Sequence, residues 1–596
     1  MTVRLAAFDR IGGASALFRA YLSADPRLAP FAAHGGLPTD AAIRAAAAAR
    51  PPDDATGASG VFARRADIAD ALRAQQPRWH DGPVGPSVAA ALDRLARPDS
   101  LAVVTGQQVS LLGGPLYTPL KALSAVLLAR RAEALTGRPT VPVFWMATED
   151  HDADEVDHAR ISTTDLRHRL PVPRGMRNHG AAGRLVLGGD IAPVVEAAVA
   201  ALPETPHAAA VAALLRRAYT PGTTLADAFG RLVAGLFDGH GLVILDADDP
   251  ALKRLAAPML ERAIRSGPAL AASVRDAGQR LVSMGFHAQL PDPTAPGLFH
   301  LDDRGRLALD IDAGGETEAI SDRSVSGATS ARAPQTDPSA ATGSTIRGTA
   351  GRFTLDALVD VARTAPERLS PAAWLRPAMQ DALLPTVAYV GGPGEIAYWL
   401  QLRGVYDGLG VPMPLVAPRI SATLVDDRTR RALVRTGAAG GPDAVEDVPS
   451  DADALFARLA DHAPEIARAF DAADAAIAAA FDALAAPLAS LGDSGRAGGG
   501  TDALARSRDA ARTRALAASA RLRATARRAE RRRQSDLRRD TARVVAMLRP
   551  NGALQERAVS ALPFAAIYGP RFVADLAAAL DDALPGVANQ HAVVTL

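Results

Sequence analysis

The chain has 596 residues, 48% hydrophobic, 22% charged and 4% aromatic, with 66 basic against 65 acidic side chains and a formal net charge of +1. At ~150 residues per domain this makes roughly three or four domain-sized units with a substantial core; the charge balance argues against a globally basic nucleic-acid coat and an acidic disordered tail. The absence of cysteine excludes a disulfide scaffold, Cys-ligated zinc, iron–sulfur clusters and a thiol nucleophile.

In chain order, residues 1–95 read as a helical segment broken by Pro/Gly loops. MTVRLAAFDR lacks the apolar core of a signal peptide, and no window approaches ~18 uninterrupted apolar residues. A soluble, cytoplasmic protein without a membrane span is the expectation. Leu101–Gly106 is a short apolar run ending in glycine, the pattern of a buried strand. A glycine-bearing loop follows to Gly114. Then comes a helix with Thr118 as N-cap, Pro119 in its first turn, leucines at 116, 120, 123 and 127, and an end near Gly137. Val141–Ala147 is a second buried strand, so a βαβ unit and a parallel sheet are predicted. Further strands are Gly241–Asp246, Thr386–Val390 and Pro414–Ala417, the last two joined by a helical pattern from Gly394 to Leu409. The core spans 96–425, with insertions near 161–215 and 290–375; Ser321–Gly351 is rich in Ser, Thr, Ala and Gly. Residues 450–548 hold two long alanine-rich helices around a glycine hinge, an antiparallel hairpin or coiled coil. Residues 549–596 return to the core.

Three loops could carry chemistry. Gln107, Gln108, Gly113, Gly114, Tyr117, Thr118 and Lys121 lie between a strand end and a helix start. Free N–H groups and the positive dipole end there suit a phosphate or carboxylate. Only two of the 66 basic residues are lysine, Lys121 and Lys253. Lys121 shares a helix face with Tyr117 and can reach the loop. The plainer alternative is a tight turn beside a surface lysine. Residues 149–158 place six carboxylates and two histidines past the second strand. Glu149, Asp150, His151 and Asp152, nearest that strand, are candidates for a general base or for holding Mg2+; the alternative is a solvated acidic loop. A zinc site is not expected, because His151 and His158 are seven apart. Gly391, Gly392, Gly394, Glu395, Tyr398 and Trp399 open the helix after the fourth strand, where the glycines allow close approach to a ligand. Trp399 could equally be core. Arg376 and Gln380 precede that strand and Arg419 follows the next; either arginine could clamp an anion or form a surface salt bridge. The second long helix carries fourteen arginines against five acids over Thr501–Leu548. Nucleic-acid binding is the less favoured reading, since no aromatics interleave for stacking.

The segments VVTGQQVSLLGGPLYTPLKALSAV, VPVFWMATEDHDADEVDH, LRPAMQDALLPTVAYVGGPGEIAYWLQL and PLVAPRIS, with the tail motif Gly552–Arg557, resemble the BshC family of cysteine-adding enzymes in bacillithiol biosynthesis over nearly the whole chain. The resemblance implies an α/β fold: a Rossmann-like core with two connecting insertions and a C-terminal antiparallel coiled coil that makes a homodimer. It also implies a ligase that joins L-cysteine to glucosaminyl-malate by an amide bond. A carboxylate must be activated for this, most simply as an acyl-adenylate or acyl-phosphate, so ATP and Mg2+ are the cofactors to look for. On this reading the loop at 107–121 holds phosphate or carboxylate oxygens, and the acidic segment accepts a proton or holds a metal. Gly391–Glu395 and Tyr398 form the opposite wall, and Arg376 or Arg419 binds a substrate carboxylate. A synthetase-like protein acting on RNA and a non-catalytic dimeric scaffold are the alternatives.

Overall fold

A computed structural model describes residues 1–53, 62–80, 82–150, 156, 158–163, 166–169, 181–302, 305–312, 345–348, 351–436, 445–459, 463–492, 500–581 and 589–596. The chain divides into two compact units. One comprises Met1–Leu424 with Leu554–Leu596, the other Val425–Ala553.

The first unit is built on five parallel strands: β1 (Leu101–Gln108), β2 (Thr140–Ala147), β3 (Val243–Asp246), β4 (Thr386–Gly391) and β5 (Leu415–Pro418). Their spatial order is β5-β4-β1-β2-β3. Chain direction along the sheet reverses between β1 and β4, the switch point where doubly wound folds open a ligand crevice. Alternate residues of β1 enter different cores. Leu101 and Val103 pack with Ile43, Ala125 and Leu128, whereas Ala102 and Val104 pack with Trp145, Leu245 and Met259. Helices therefore cover both faces, which is why the strands read as continuous apolar runs rather than alternating ones.

Helix α1 (Tyr117–Thr136) connects β1 to β2 and ends on Gly137 in the left-handed conformation, as the sequence indicates. It starts one residue before the expected cap. Leu116 occupies the N-cap position without a side-chain cap, and the Thr118 hydroxyl is buried with no hydrogen-bond partner. Helix α2 (Pro250–Ser283), unforeseen from sequence, starts where Asp249 accepts from the N–H groups of Ala251 and Leu252 at 2.8 and 3.3 Å. Its Leu252, Met259, Leu260 and Ile264 enter the core beside Trp145; burying each such side chain contributes roughly 1.5–3 kcal/mol. Helix α3 (Arg376–Leu383) precedes β4 and α4 (Pro393–Trp399) follows it. The helical pattern from Gly394 breaks after Trp399 and resumes at Arg403–Leu409. At the break, buried Gln401 bonds both the N–H and the carbonyl of Leu290.

Two more sheets complete this unit. Five antiparallel strands, in the order 351–354, 345–348, 305–312, 296–302 and 369–371, form a sheet within the second predicted insertion. His591–Thr595 lies between Thr2–Ala6 and Ser421–Val425. Buried His591 bonds Ser421 Oγ at 2.8 Å and Thr423 Oγ1 at 2.9 Å.

The second unit contains α5 (Ala463–Ala483), α6 (Ala485–Gly492) and α7 (Gly500–Leu548). Arg512 pairs with Asp482, Ser519 with Asp474, and Arg523 with Asp474 and Asp471. Partner numbers fall as α7 advances, so the two helices run in opposite directions. Glu465–Leu491 contains an 18-residue stretch of mean hydropathy 1.5 and is long enough to cross a membrane, a point that counting uninterrupted apolar runs does not reveal. Alanine raises the mean although Arg468, Asp471, Asp474 and Asp482 interrupt the run. Most of the Ser321–Gly351 stretch and the glycine hinge lie outside the described residues.

Arg50 ties the lower ends of the sheet together. Its buried guanidinium donates to the carbonyls of Thr386 (3.0 Å), Asp381 (3.1 Å) and Pro412 (2.5 Å). Arg50→Ala removes charge-assisted bonds from buried carbonyls and should cost about 3 kcal/mol. Urea unfolding followed by circular dichroism measures this. Arg50→Lys should recover less than half, because a single ammonium cannot reach three carbonyls set around a planar fork.

Candidate active site

The loop after β1 and the start of α4 face each other across the switch point, and a buried ion pair joins them. The Lys121 ammonium donates to the Gly106 carbonyl at 2.6 Å and Gln107 Oε1 at 2.9 Å, and lies 2.5 Å from Glu395 Oε2. Glu395 also accepts from the Gly392 N–H at 2.9 Å and the Tyr389 hydroxyl at 2.5 Å. Burial pulls the Lys121 ammonium below its ordinary pKa, with Glu395 opposing. Burial pushes Glu395 up, but Lys121, the Gly392 N–H and Tyr389 outweigh it and hold the carboxyl below its ordinary value.

Several glycines serve the protein's own groups. A Cβ on Gly391 would sit 3.2 Å from Glu395 Cβ, and one on Gly392 3.4 Å from Arg419 Nε; Gly394 has open space beside it. In the loop after β1, Gly113 and Gly114 have φ of +81° and +68°, and a Cβ on Gly114 would meet Ser110 and Thr118 Oγ1 at 3.2–3.4 Å. That leaves no room for a side chain at 114; the unpartnered Thr118 hydroxyl at the start of α1 is the feature here that suits an anionic oxygen. The Gly113 N–H itself is taken by the Tyr219 hydroxyl at 3.2 Å.

Arg376 lies against the aromatic floor of the crevice. Its guanidinium donates to Gln380 Oε1 (3.0 Å) and the Tyr398 hydroxyl (3.2 Å), and lies 5.8 Å from the ring centres of both Trp145 and Tyr389. Tyr389 stacks on Trp399, which stacks on Tyr406. Trp399 is therefore core, one layer below the surface that Arg376 occupies. Gln380 passes a bond to Asp381 at 2.9 Å, and Tyr406 donates to the same carboxylate at 2.5 Å. Burial pushes Asp381 above the ordinary carboxyl range. Arg376 is half-buried, and its hydrogen bonds go to neutral partners.

Arg419 is differently engaged. It forms a two-point pair with Glu556 at 2.9 and 2.6 Å and lies over the Tyr117 ring. The clamp anticipated there is filled by a protein carboxylate from the tail. Tyr117 receives a bond from Gln107 Nε2 at 3.4 Å.

The acidic segment divides by direction. Glu149 is buried against Lys253, whose ammonium also donates to the Leu369 carbonyl at 2.6 Å. Burial raises the Glu149 pKa, with Lys253 opposing. Asp150 is partly exposed. It accepts from Gln108 Nε2 at 2.6 Å, and Arg306 Nη1 lies 3.7 Å away. His151 and Asp152 lie outside the described residues. Among the described residues no three His, Asp or Glu side chains converge on a metal position.

Lys121, Gln107, Gln108, Tyr117, Asp150, Arg376, Gln380, Glu395 and Tyr398 thus share the end of the sheet from which the strands' carboxyl termini emerge. Sequence reasoning missed Lys253, Arg306, Tyr389 and Glu556. The scarcity of lysine that singles out Lys121 applies equally to Lys253, and Glu556 lies in the tail motif Gly552–Arg557; Arg306 and Tyr389 carry no comparable signal.

Comparison with known proteins agrees with this architecture. The family model for the bacillithiol biosynthesis BshC N-terminal Rossmann-like domain matches residues 2–324 and 340–420. The model for the BshC C-terminal coiled-coil domain matches 423–596. A protein of Salinibacter ruber named "Putative cysteine ligase BshC" is 36% identical over 532 residues, 88% of each chain. One of the same name from Koribacter versatilis is 34% identical over 512 residues, 85% of this chain and 86% of the relative. Another from Solibacter usitatus is 32% identical over 535 residues, covering 89% and 90%. The chain belongs to the BshC family of bacillithiol biosynthesis.

Lys121→Met leaves Glu395 buried without its cation and should destabilise the protein by about 3–5 kcal/mol, most of it regained in Lys121→Met/Glu395→Gln. Because the folded Glu395 carboxyl is depressed, its contribution is complete above the ordinary value of 4.5 and is lost as pH falls below it. Urea unfolding from pH 7 to pH 3 should show wild type converging on Glu395→Gln at the acid end.

Proposed function

We propose that this member of the BshC family is a ligase that joins the carboxyl carbon of L-cysteine to the amino nitrogen of glucosaminyl-malate, forming an amide. The observation that carries this reading is Arg376: a half-buried guanidinium at the switch point whose hydrogen bonds are to neutral groups. Such a cation is matched to a substrate carboxylate, which malate and cysteine both offer. The relatives' shared name supplies cysteine as the substrate; the family's pathway supplies bacillithiol as the product.

Amide formation needs a leaving group on the cysteine carboxyl and a proton acceptor for the attacking ammonium. ATP would supply the leaving group. The Thr118 hydroxyl and the start of α1 fit its anionic oxygens. Lys121 is engaged elsewhere: it braces the loop by holding Gly106 and Gln107 against Glu395. Asp150 is the described acidic group with reach, since Glu149 is committed to Lys253. It takes the ammonium proton, held in place by Gln108; His151 and Asp152 follow it in the chain. Mg2+ would serve as the counter-ion of the nucleotide phosphates. The cytoplasm is the compartment this reading assigns.

For the arm we favour pairing with a second copy over RNA. Its arginines at 512, 523, 533 and 539 are answered by acids of the arm, while Leu484, Leu491 and Leu522 remain 47–65% exposed. Leu491→Asp/Leu522→Asp should shift the sedimentation equilibrium from dimer toward monomer; an unchanged dimer would exclude these positions from the interface.

Mass spectrometry of the protein with glucosaminyl-malate, L-cysteine, ATP and Mg2+, omitting each in turn, tests the reaction. The expected outcome is a bacillithiol mass that needs enzyme, both substrates and ATP. Product without ATP would remove the activation scheme. Arg376→Ala should lose more than about tenfold in kcat/KM, roughly 1.4 kcal/mol of transition-state binding, with its melting temperature near that of wild type.

A further inference from the structure

Two cations close a circuit beside β2. Lys253, in the first turn of α2, is fully buried; it pairs with Glu149 and donates to the Leu369 carbonyl at 2.6 Å. Arg306, on the antiparallel insertion sheet, donates to Ser370 Oγ at 3.0 Å and the Pro371 carbonyl at 2.9 Å, and lies 3.7 Å from Asp150 Oδ1. Its guanidinium lies over Phe299, 3.9 Å from the ring centre. Each cation therefore grips the same two segments, residues 149–150 at the end of β2 and the strand Leu369–Pro371. Neither segment has another described cation bridging it to the other.

Lys253 is unfavourably placed by ordinary rules. A cation in the first turn of a helix faces the positive end of the dipole, and a desolvated ammonium requires a close counter-charge. Glu149 is that counter-charge. At full burial Lys253 cannot touch a substrate, and a branched guanidinium would not substitute for its compact ammonium.

We propose that Lys253 is a positioning residue of the active site: it docks the insertion strand Leu369–Pro371 onto the acidic segment, and so sets where Asp150 and Arg306 stand. Lys253 acts through Glu149 and the Leu369 carbonyl, and Asp150 receives the proton. The role in turnover rests on the ligase reading; the docking does not.

The full-length chain carrying Lys253→Met, and separately Glu149→Gln/Lys253→Met, tests the proposal. Lys253→Met should lower kcat about tenfold or more while KM for ATP stays within about twofold. Hydrogen exchange at the Leu369 and Ser370 amides should quicken about tenfold beyond the change in the β1 and β2 amides. The double variant removes both buried charges and should recover the melting temperature but not kcat. A double variant with wild-type kcat would overturn the positioning role and leave the pair a replaceable filler. Unchanged exchange at Leu369 and Ser370 in Lys253→Met would overturn the docking. If the wild-type chain makes no product, the ligase reading fails on its own, and the exchange measurement still decides the docking.

Discussion

A buried ammonium needs a counter-charge within reach, and this chain meets that constraint twice at the end of one sheet. It has two lysines in all, and both are buried against glutamates past the carboxyl ends of parallel strands. Arginine serves almost everywhere else. A guanidinium spreads its charge over a planar fork, whereas an ammonium concentrates it at one tetrahedral point. Lys121 uses that point to hold two backbone-adjacent groups of the β1 loop and a carboxylate from α4. Lys253 uses it to join the β2 end to the insertion sheet. The crevice walls are thereby fixed to each other by charge, where apolar packing could not specify one register among several.

This separates charges that brace from charges that can work. Glu149, Lys121, Glu395, Arg419 and Glu556 are all committed to partners inside the protein. Arg376 and Asp150 are the groups left with exposure and with partners that a ligand can compete for. Arg376 rests on stacked aromatic rings, which lower the local dielectric and strengthen any pairing with an anion. The arrangement places one cation and one carboxylate on the two sides of the switch point, the polarity that the proposed reaction requires.

Much of this was legible in the sequence, for identifiable reasons. Buried parallel strands are apolar throughout, so all five were recognisable within a residue or two, and Gly137 marked the end of α1. The order of the strands was not readable, because it depends on pairings between residues hundreds of positions apart, such as Val104 with Tyr389. Helix α2 went unread although Asp249-Pro250 is a sound start signal; two internal prolines, Pro258 and Pro268, obscured it. Within the site, motif density drew attention to Glu149 and Asp150 alike. Only the fold distinguishes them, by turning one toward Lys253 and the other toward Gln108. Arg419 illustrates the opposite error: its chemistry suggested a ligand clamp, and the tail's Glu556 occupies it.

The tail has a consequence for how the chain is made. Residues 554–596 supply Glu556 to Arg419 and insert the strand His591–Thr595 between Thr2–Ala6 and Ser421–Val425. All of the arm, Val425–Ala553, is synthesised before them. During translation the parallel sheet can therefore form while Arg419 still lacks its counter-charge and the first strand has no neighbour. The nascent protein must pass through a stage with an open sheet edge and an unbalanced buried cation, which invites association with other chains. Completion of the fold is thus tied to synthesis of residues 554–596, and a ribosome stalled within the arm would hold the first unit in that unfinished state.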